Sequence, residues 1–174
     1  NGGGWPTTFD DIAAGIDKLA SVEDVPTTTV VTLGHSAGGH LAVWAGARTS
    51  FTGAWANPKV ALTAAISQAG VLDLEAARRS HLGSNAVQAF MNGTIDNRYK
   101  LADPMQQIPL KIPVWCVHGT DDGTVPLSQS VDYVKAAKAA GGAAQLVEVA
   151  GDHFVVIDPS TEAWAQTIKI LDSL

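Results

Sequence analysis

The chain has one cysteine in 174 residues, Cys116. No intrachain disulfide can form, and its place in an apolar run reads as that of a small buried hydrophobe. Lys/Arg runs are also missing, and the formal net charge is −6, which speaks against nucleic acid or an anionic membrane surface as a partner. No stretch approaches the ~18 consecutive apolar residues of a membrane span. The opening is not the basic-then-apolar run of a signal peptide, and a cytoplasmic location is expected. Internal repeats and low-complexity tracts are absent. What the chain does have is 46% hydrophobic residues, 17 glycines and only 16% charged residues, enough to bury a sizeable core within one domain spanning residues 1–174.

The most informative run is Thr28-Thr29-Val30-Val31-Thr32-Leu33-Gly34-His35-Ser36-Ala37-Gly38-Gly39-His40-Leu41-Ala42-Val43-Trp44. A β-branched strand stops at a Gly-x-Ser-x-Gly turn and continues as a helix, the context of a nucleophile elbow. Small neighbours at Gly34 and Gly38 let strand and helix approach while Ser36 projects. The competing reading is a Gly-rich turn that merely packs or binds an anion at the helix N-terminus.

A serine hydroxyl at an elbow calls for an acid and then a histidine further along the chain. Ile112-Pro113-Val114-Trp115-Cys116-Val117-His118-Gly119 reads as a buried parallel strand running into Asp121-Asp122. Ala144-Gln145-Leu146-Val147-Glu148-Val149 reads as another, ending at Gly151-Asp152-His153-Phe154. Groups placed after successive parallel strands converge on one end of a sheet. Position alone leaves Asp121 and Asp122 both open as the acid.

With these motifs the chain resembles the α/β-hydrolase family over nearly its whole length, through Gly-His-Ser-Ala-Gly-Gly, His-Gly-Thr-Asp-Asp-Gly-Thr-Val-Pro and Gly-Asp-His-Phe. Within it the chain looks most like small esterases and kynurenine-formamidase-like or prolyl-oligopeptidase-like hydrolases. The resemblance implies a three-layer α/β fold, a mostly parallel sheet flanked by helices. It puts the acid on Asp122, with Asp121 as a turn residue, and the base on His153. It also implies a mechanism: Ser36 attacks an acyl carbonyl, His153 takes its proton, Asp122 orients the imidazole, and the backbone N–H of Ala37 stabilises the oxyanion. No metal or organic cofactor is implied. The substrate class is a small carboxylic ester, with an arylformamidase-like or peptidase-like amide as the alternative. A remnant that keeps the triad letters without turnover is the third reading.

Coarse periodicity predicts a helix from Pro6 to about Ala20 with Ile12, Ile16 and Leu19 inward, a strand at about 28–33, and the elbow helix to about Arg48. A strand is predicted over Val60–Ser67, and helices over Leu127–Ala140 and from Pro159 onward. Residues 70–110 read as a lid-like insertion with short helices over 72–79 and 85–91. His35 and His40, lacking a third ligand, read as packing or pocket-wall residues rather than a metal site, and His118 as a hydrogen-bonded turn residue. Trp5 and Trp55 are candidates for a pocket wall. Asn1-Gly2-Gly3-Gly4-Trp5 resembles an oxyanion loop in letters, but it stands too close to Ser36 and reads instead as the lead into the first helix. About four parallel strands can be counted, fewer than the resembled family carries. The expectation is therefore that the N-terminal half-sheet is missing, leaving an open edge at Thr29–Leu33 to be paired by an absent segment or a second copy.

Overall fold

The computed structural model describes residues 3–53, 55–93 and 97–174; Asn1 and Gly2 of the opening run lie outside them. Four strands form one parallel sheet in the order of the chain: β1 (Val31–His35), β2 (Ala64–Gln68), β3 (Val114–Gly119) and β4 (Ala144–Val149). Val31 lies opposite Ala64, Ala65 opposite Val114, and Val114 opposite Ala144. Parallel neighbours need crossover connections. These are supplied by α2 (Ala37–Gly46), the lid-like region and α6 (Ser128–Ala139), with α7 (Glu162–Asp172) closing the chain. The α/β-hydrolase class read from the motifs is the fold observed.

Side chains alternate across a strand, and the two faces bury separate cores. Ala65, Val114 and Cys116 pack with Val43 of α2 and Tyr133 and Val134 of α6. Ile66 and Val117 pack on the other face with Ala163 and Ile170 of α7. A third cluster joins the first helix, α1 (Thr7–Lys18), to α2 and the 70–110 region through Phe9, Trp44, Trp55 and Met91. Trp5 and Trp55 stand edge-on to each other, their ring centroids 5.1 Å apart. Trp55 is buried in this aromatic core, so it packs rather than lining an open pocket. Arg48, also buried, makes a two-point bond to Asp17 (3.0 and 2.8 Å) that ties α1 to the end of the elbow helix.

Several boundaries differ from the sequence reading. β1 begins at Val31 because pairing with β2 begins opposite Ala64; the β-branched Thr28 and Thr29 lie in a bend before it. The strand expected from Val60 starts at Ala64 for the same reason. The last helix starts at Glu162, where Thr161 Oγ1 accepts the Trp164 N–H; Asp158 and Pro159 belong to the preceding turn. In the lid-like region α3 (Leu74–Arg79) is capped by Asp73, whose Oδ1 accepts the Ala76 N–H at 2.7 Å. Nominal α4 (Leu82–Phe90) has Gly83, Ser84 and Asn85 in left-handed backbone, so only its second half is regular. A further short helix, α5 (Arg98–Ala102), was not anticipated.

α1 buries Phe9 and Ala13, and Ile12 and Ile16 are half-buried against the same aromatic cluster. The two isoleucines also line a groove of about 450 Å³ beside β1, with Val31, Leu33 and Leu41 in its walls. Among the described residues β1 pairs with β2 alone, so the edge toward this groove is open and Leu33 is 40% exposed.

Candidate active site

Ser36 follows the last residue of β1 and precedes the first of α2. Its backbone sits at φ 56°, ψ −120°, a region that costs a non-glycine residue on the order of 1–3 kcal/mol and that recurs at functional sites. The turn is held by the Ser36 N–H donating to Gln68 O at 2.8 Å and the His40 N–H donating to Ser36 O at 3.2 Å. A Cβ at Gly34 would overlap the Gly38 carbonyl, which explains the first glycine of the motif. Gly34→Ala is therefore expected to cost about 3 kcal/mol or more, as an overpacked site that only a backbone shift can relieve. At Gly38 an added Cβ meets nothing within 4 Å, and Gly38→Ala should cost nothing measurable. Urea midpoints of the two variants check the contrast.

The acid turn follows β3. Asp122 Oδ1 accepts the N–H groups of Thr124 and Val125, both at 2.8 Å. Its other oxygen, Oδ2, accepts from His153 Nδ1 at 2.6 Å. Burial works against its charge, but the bond from His153 and the two backbone N–H groups outweigh it and hold the carboxyl below the usual carboxylate range. Asp121 points elsewhere: its side chain is exposed and its N–H donates to Gly151 O at 2.9 Å. Of the two adjacent acids, Asp122 is the one in contact with His153. A Cβ at Gly119 would strike the Gly151 and Asp152 carbonyls, so glycine there lets the acid turn and the histidine loop close on each other.

His153 is buried in the loop after β4. Because Nδ1–H donates to Asp122, Nε2 is left as the acceptor. His35, beside Ser36, donates from Nε2 to the His153 carbonyl at 2.9 Å, and the two rings lie 4.4 Å apart. This bond ties the elbow to the histidine loop. Among the described residues Ser36 Oγ itself makes no hydrogen bond, a looseness common in unliganded sites. Sequence reasoning gave His35 a packing or pocket-wall role but not this bond, since residues 118 positions apart leave no local signal of contact.

Ala37 is the first residue of α2, so its N–H has no carbonyl partner within the helix. The same residue opens an apolar cavity of about 240 Å³ whose walls include His40, Leu41, Leu74, Val87 and Phe90. His40 is buried and bonded through Nε2 to Ala102 O at 2.7 Å. Burial lowers its pKa to about 4, so this wall of the cavity is uncharged at neutral pH. The Gly4 N–H donates to Thr8 Oγ1 and the Trp5 N–H to Phe90 O. The first is committed to the turn that leads into α1, the second to the end of α4. Among the described residues no group of three or more His, Cys, Asp or Glu is arranged to hold a metal ion, and no helix is long and apolar enough to cross a membrane.

Solved structures that share this fold include a truncated carbohydrate esterase from gut microbiota (TM-score 0.80, 21% identity, 98% of this chain and 69% of that one). The butyrate-bound esterase Est2 of Thermogutta terrifontis is another (0.71, 22%, 96% and 64%). A third is the acylaminoacyl peptidase of Pyrococcus horikoshii (0.74, 19%, 95% and 27%). The chain thus spans about two thirds of the esterases' length and about a quarter of the peptidase's. No curated protein sequence matches the chain. The BD-FAE family model matches residues 3–136, a span that contains Ser36 and Asp122 and stops short of His153. On that match, and on the parallel sheet with helices on both faces, the chain belongs to the BD-FAE family of α/β hydrolases.

Proposed function

We propose that the chain carries the triad of a serine hydrolase acting on small carboxylic esters. The observation that carries this reading is the 2.6 Å Asp122–His153 bond, which leaves the imidazole acceptor free at the end of the sheet where the strained Ser36 turn lies. In the reaction Ser36 Oγ forms a bond to the acyl carbon while its proton passes to His153 Nε2. The negative oxygen rests on the Ala37 N–H. His153 then returns the proton to the departing alcohol as the C–O bond breaks. Water adds to the acyl-enzyme by the same path and frees the acid. The uncharged apolar cavity beside Ala37 suits a small apolar acyl or alkyl group, and butyrate bound to the Thermogutta esterase is of that size and kind.

The peptidase among the fold neighbours supports a second reading, an amide substrate cut by the same three groups. The third, a site without turnover, draws on the Gly4 and Trp5 N–H groups being engaged elsewhere, so that neither of these two stands beside Ala37 as a second oxyanion donor. A fluorophosphonate probe should label Ser36 under the first two readings and leave it unlabelled under the third. Among proteins that label, turnover of short p-nitrophenyl esters over N-formyl aromatic amines separates ester from amide chemistry, and a preference for the amines would overturn our reading.

A further inference from the structure

His118 lies at the penultimate position of β3, fully buried, and the triad chemistry described above makes no use of it. Its two ring nitrogens have different partners. Nε2 lies 3.0 Å from the Val125 carbonyl and 3.2 Å from Asp122 Oδ2. Both are acceptors, so Nε2 must carry the proton. Nδ1 lies 2.8 Å from Ser130 Oγ on α6, and must then accept from that hydroxyl. The ring is thus fixed in one neutral tautomer by a donor on one side and two acceptors on the other. Burial lowers its pKa, which keeps it uncharged.

Asp122 Oδ1 accepts two backbone N–H groups, and Oδ2 accepts from His153 while also lying 3.2 Å from His118 Nε2, whose hydrogen bond goes to the Val125 carbonyl. We propose that His118, locked by Ser130, is a positioning residue that shares Asp122 Oδ2 with His153 and thereby limits how strongly the carboxylate pulls on the base. The proposal rests on the reading of Asp122 and His153 as acid and base. A carboxylate oxygen that already faces one N–H dipole at close range is a weaker acceptor for a second. Withdrawing the His118 donor should strengthen the hold of Asp122 on the protonated form of His153, so the neutral, reactive form would appear only at higher pH.

The other titratable groups against this assembly do not produce that effect. Cys116 and Tyr133 stay protonated because burial raises both, the thiol to about 12. Asp152, next to His153, is engaged by the Phe154 and Val155 N–H groups. His35, stacked on His153, is common to all the variants below and cancels in the comparison.

The first test needs no variant and no activity. Imidazole ¹⁵N NMR of the protein should show His118 neutral and protonated at Nε2 from about pH 7 to 8. An Nδ1–H tautomer, or a ring that gains charge in that range, would overturn the proposal. This holds whether or not Ser36 reacts, so a failure of the functional reading is told apart from a failure here. The second test compares His118→Leu, which removes the donor, with His118→Gln, whose amide can replace Nε2–H. In a protein that labels with fluorophosphonate, the midpoint of the rise in labelling rate with pH should move up by about half a unit or more in His118→Leu and return toward the parent in His118→Gln. A folded His118→Leu with an unmoved midpoint would sink it.

Discussion

Ser36→Ala should reduce kcat by about 10⁶ in any form of the protein that turns over an ester, by analogy with other triads, and should abolish fluorophosphonate labelling outright. The size of the loss follows from the chemistry: no other nucleophile stands on the strained turn between β1 and α2, and water must do without the covalent intermediate. The fold should survive, because Ser36 Oγ makes no hydrogen bond among the described residues while the turn is held by backbone bonds to Gln68 and His40. Alanine keeps those bonds and accepts the same positive φ at similar cost. A folded variant retaining most of its activity, judged by circular dichroism beside a rate assay, would remove Ser36 from the mechanism.

Asp122→Asn is expected to lower turnover by about 10⁴ with the fold kept, as a triad does when its acid becomes an amide. Two of the four acceptor contacts explain why. The Thr124 and Val125 N–H groups are donors on Oδ1, so an asparagine turns its carbonyl oxygen toward them and its NH₂ toward the histidines. His153 Nδ1 would then face a donor, and its proton would be driven to Nε2, the atom that must accept from Ser36. Asp121→Asn, on an exposed side chain whose backbone rather than carboxylate is engaged with Gly151, should change the rate less than about threefold. Equal losses from the two variants would show that the acid had been misassigned between neighbours.

What could be read from the letters was whatever a short segment determines alone. The strand-turn-helix around Ser36 announces itself because a strained turn needs glycines at fixed offsets, and β3 because a buried parallel strand is a continuous apolar run. Contacts between remote segments left no such mark. The letters mark His35 as a packing or pocket-wall residue and His118 as a hydrogen-bonded turn residue, but leave their partners out of reach, since the first binds a carbonyl 118 residues away and the second is bonded to Ser130 on a later helix. Helical period correctly gathered Ile12 and Ile16 on one inward face of α1 but could not say that this face, packed against the aromatic core, also borders the open side of β1. Thr28 and Thr29 have the right residue type for a strand, yet β pairing is decided by the partner, and β2 reaches back only to Ala64 opposite Val31. The open edge itself was anticipated. We propose that a strand from a preceding segment or a second copy of the chain pairs with it, since an unpaired apolar edge otherwise invites aggregation.

Because all four strands run the same way, every reactive group sits after a strand end, and the turns that enter the strands gather about 17 Å away at the opposite pole. Lys111, exposed in the turn before β3, belongs to that pole. The native thiol, Cys116, is buried, so Lys111→Cys would give the protein a single accessible handle. A bead, dye or electrode coupled there would hold every molecule in one orientation, with Ser36, Asp122 and His153 turned toward the solution.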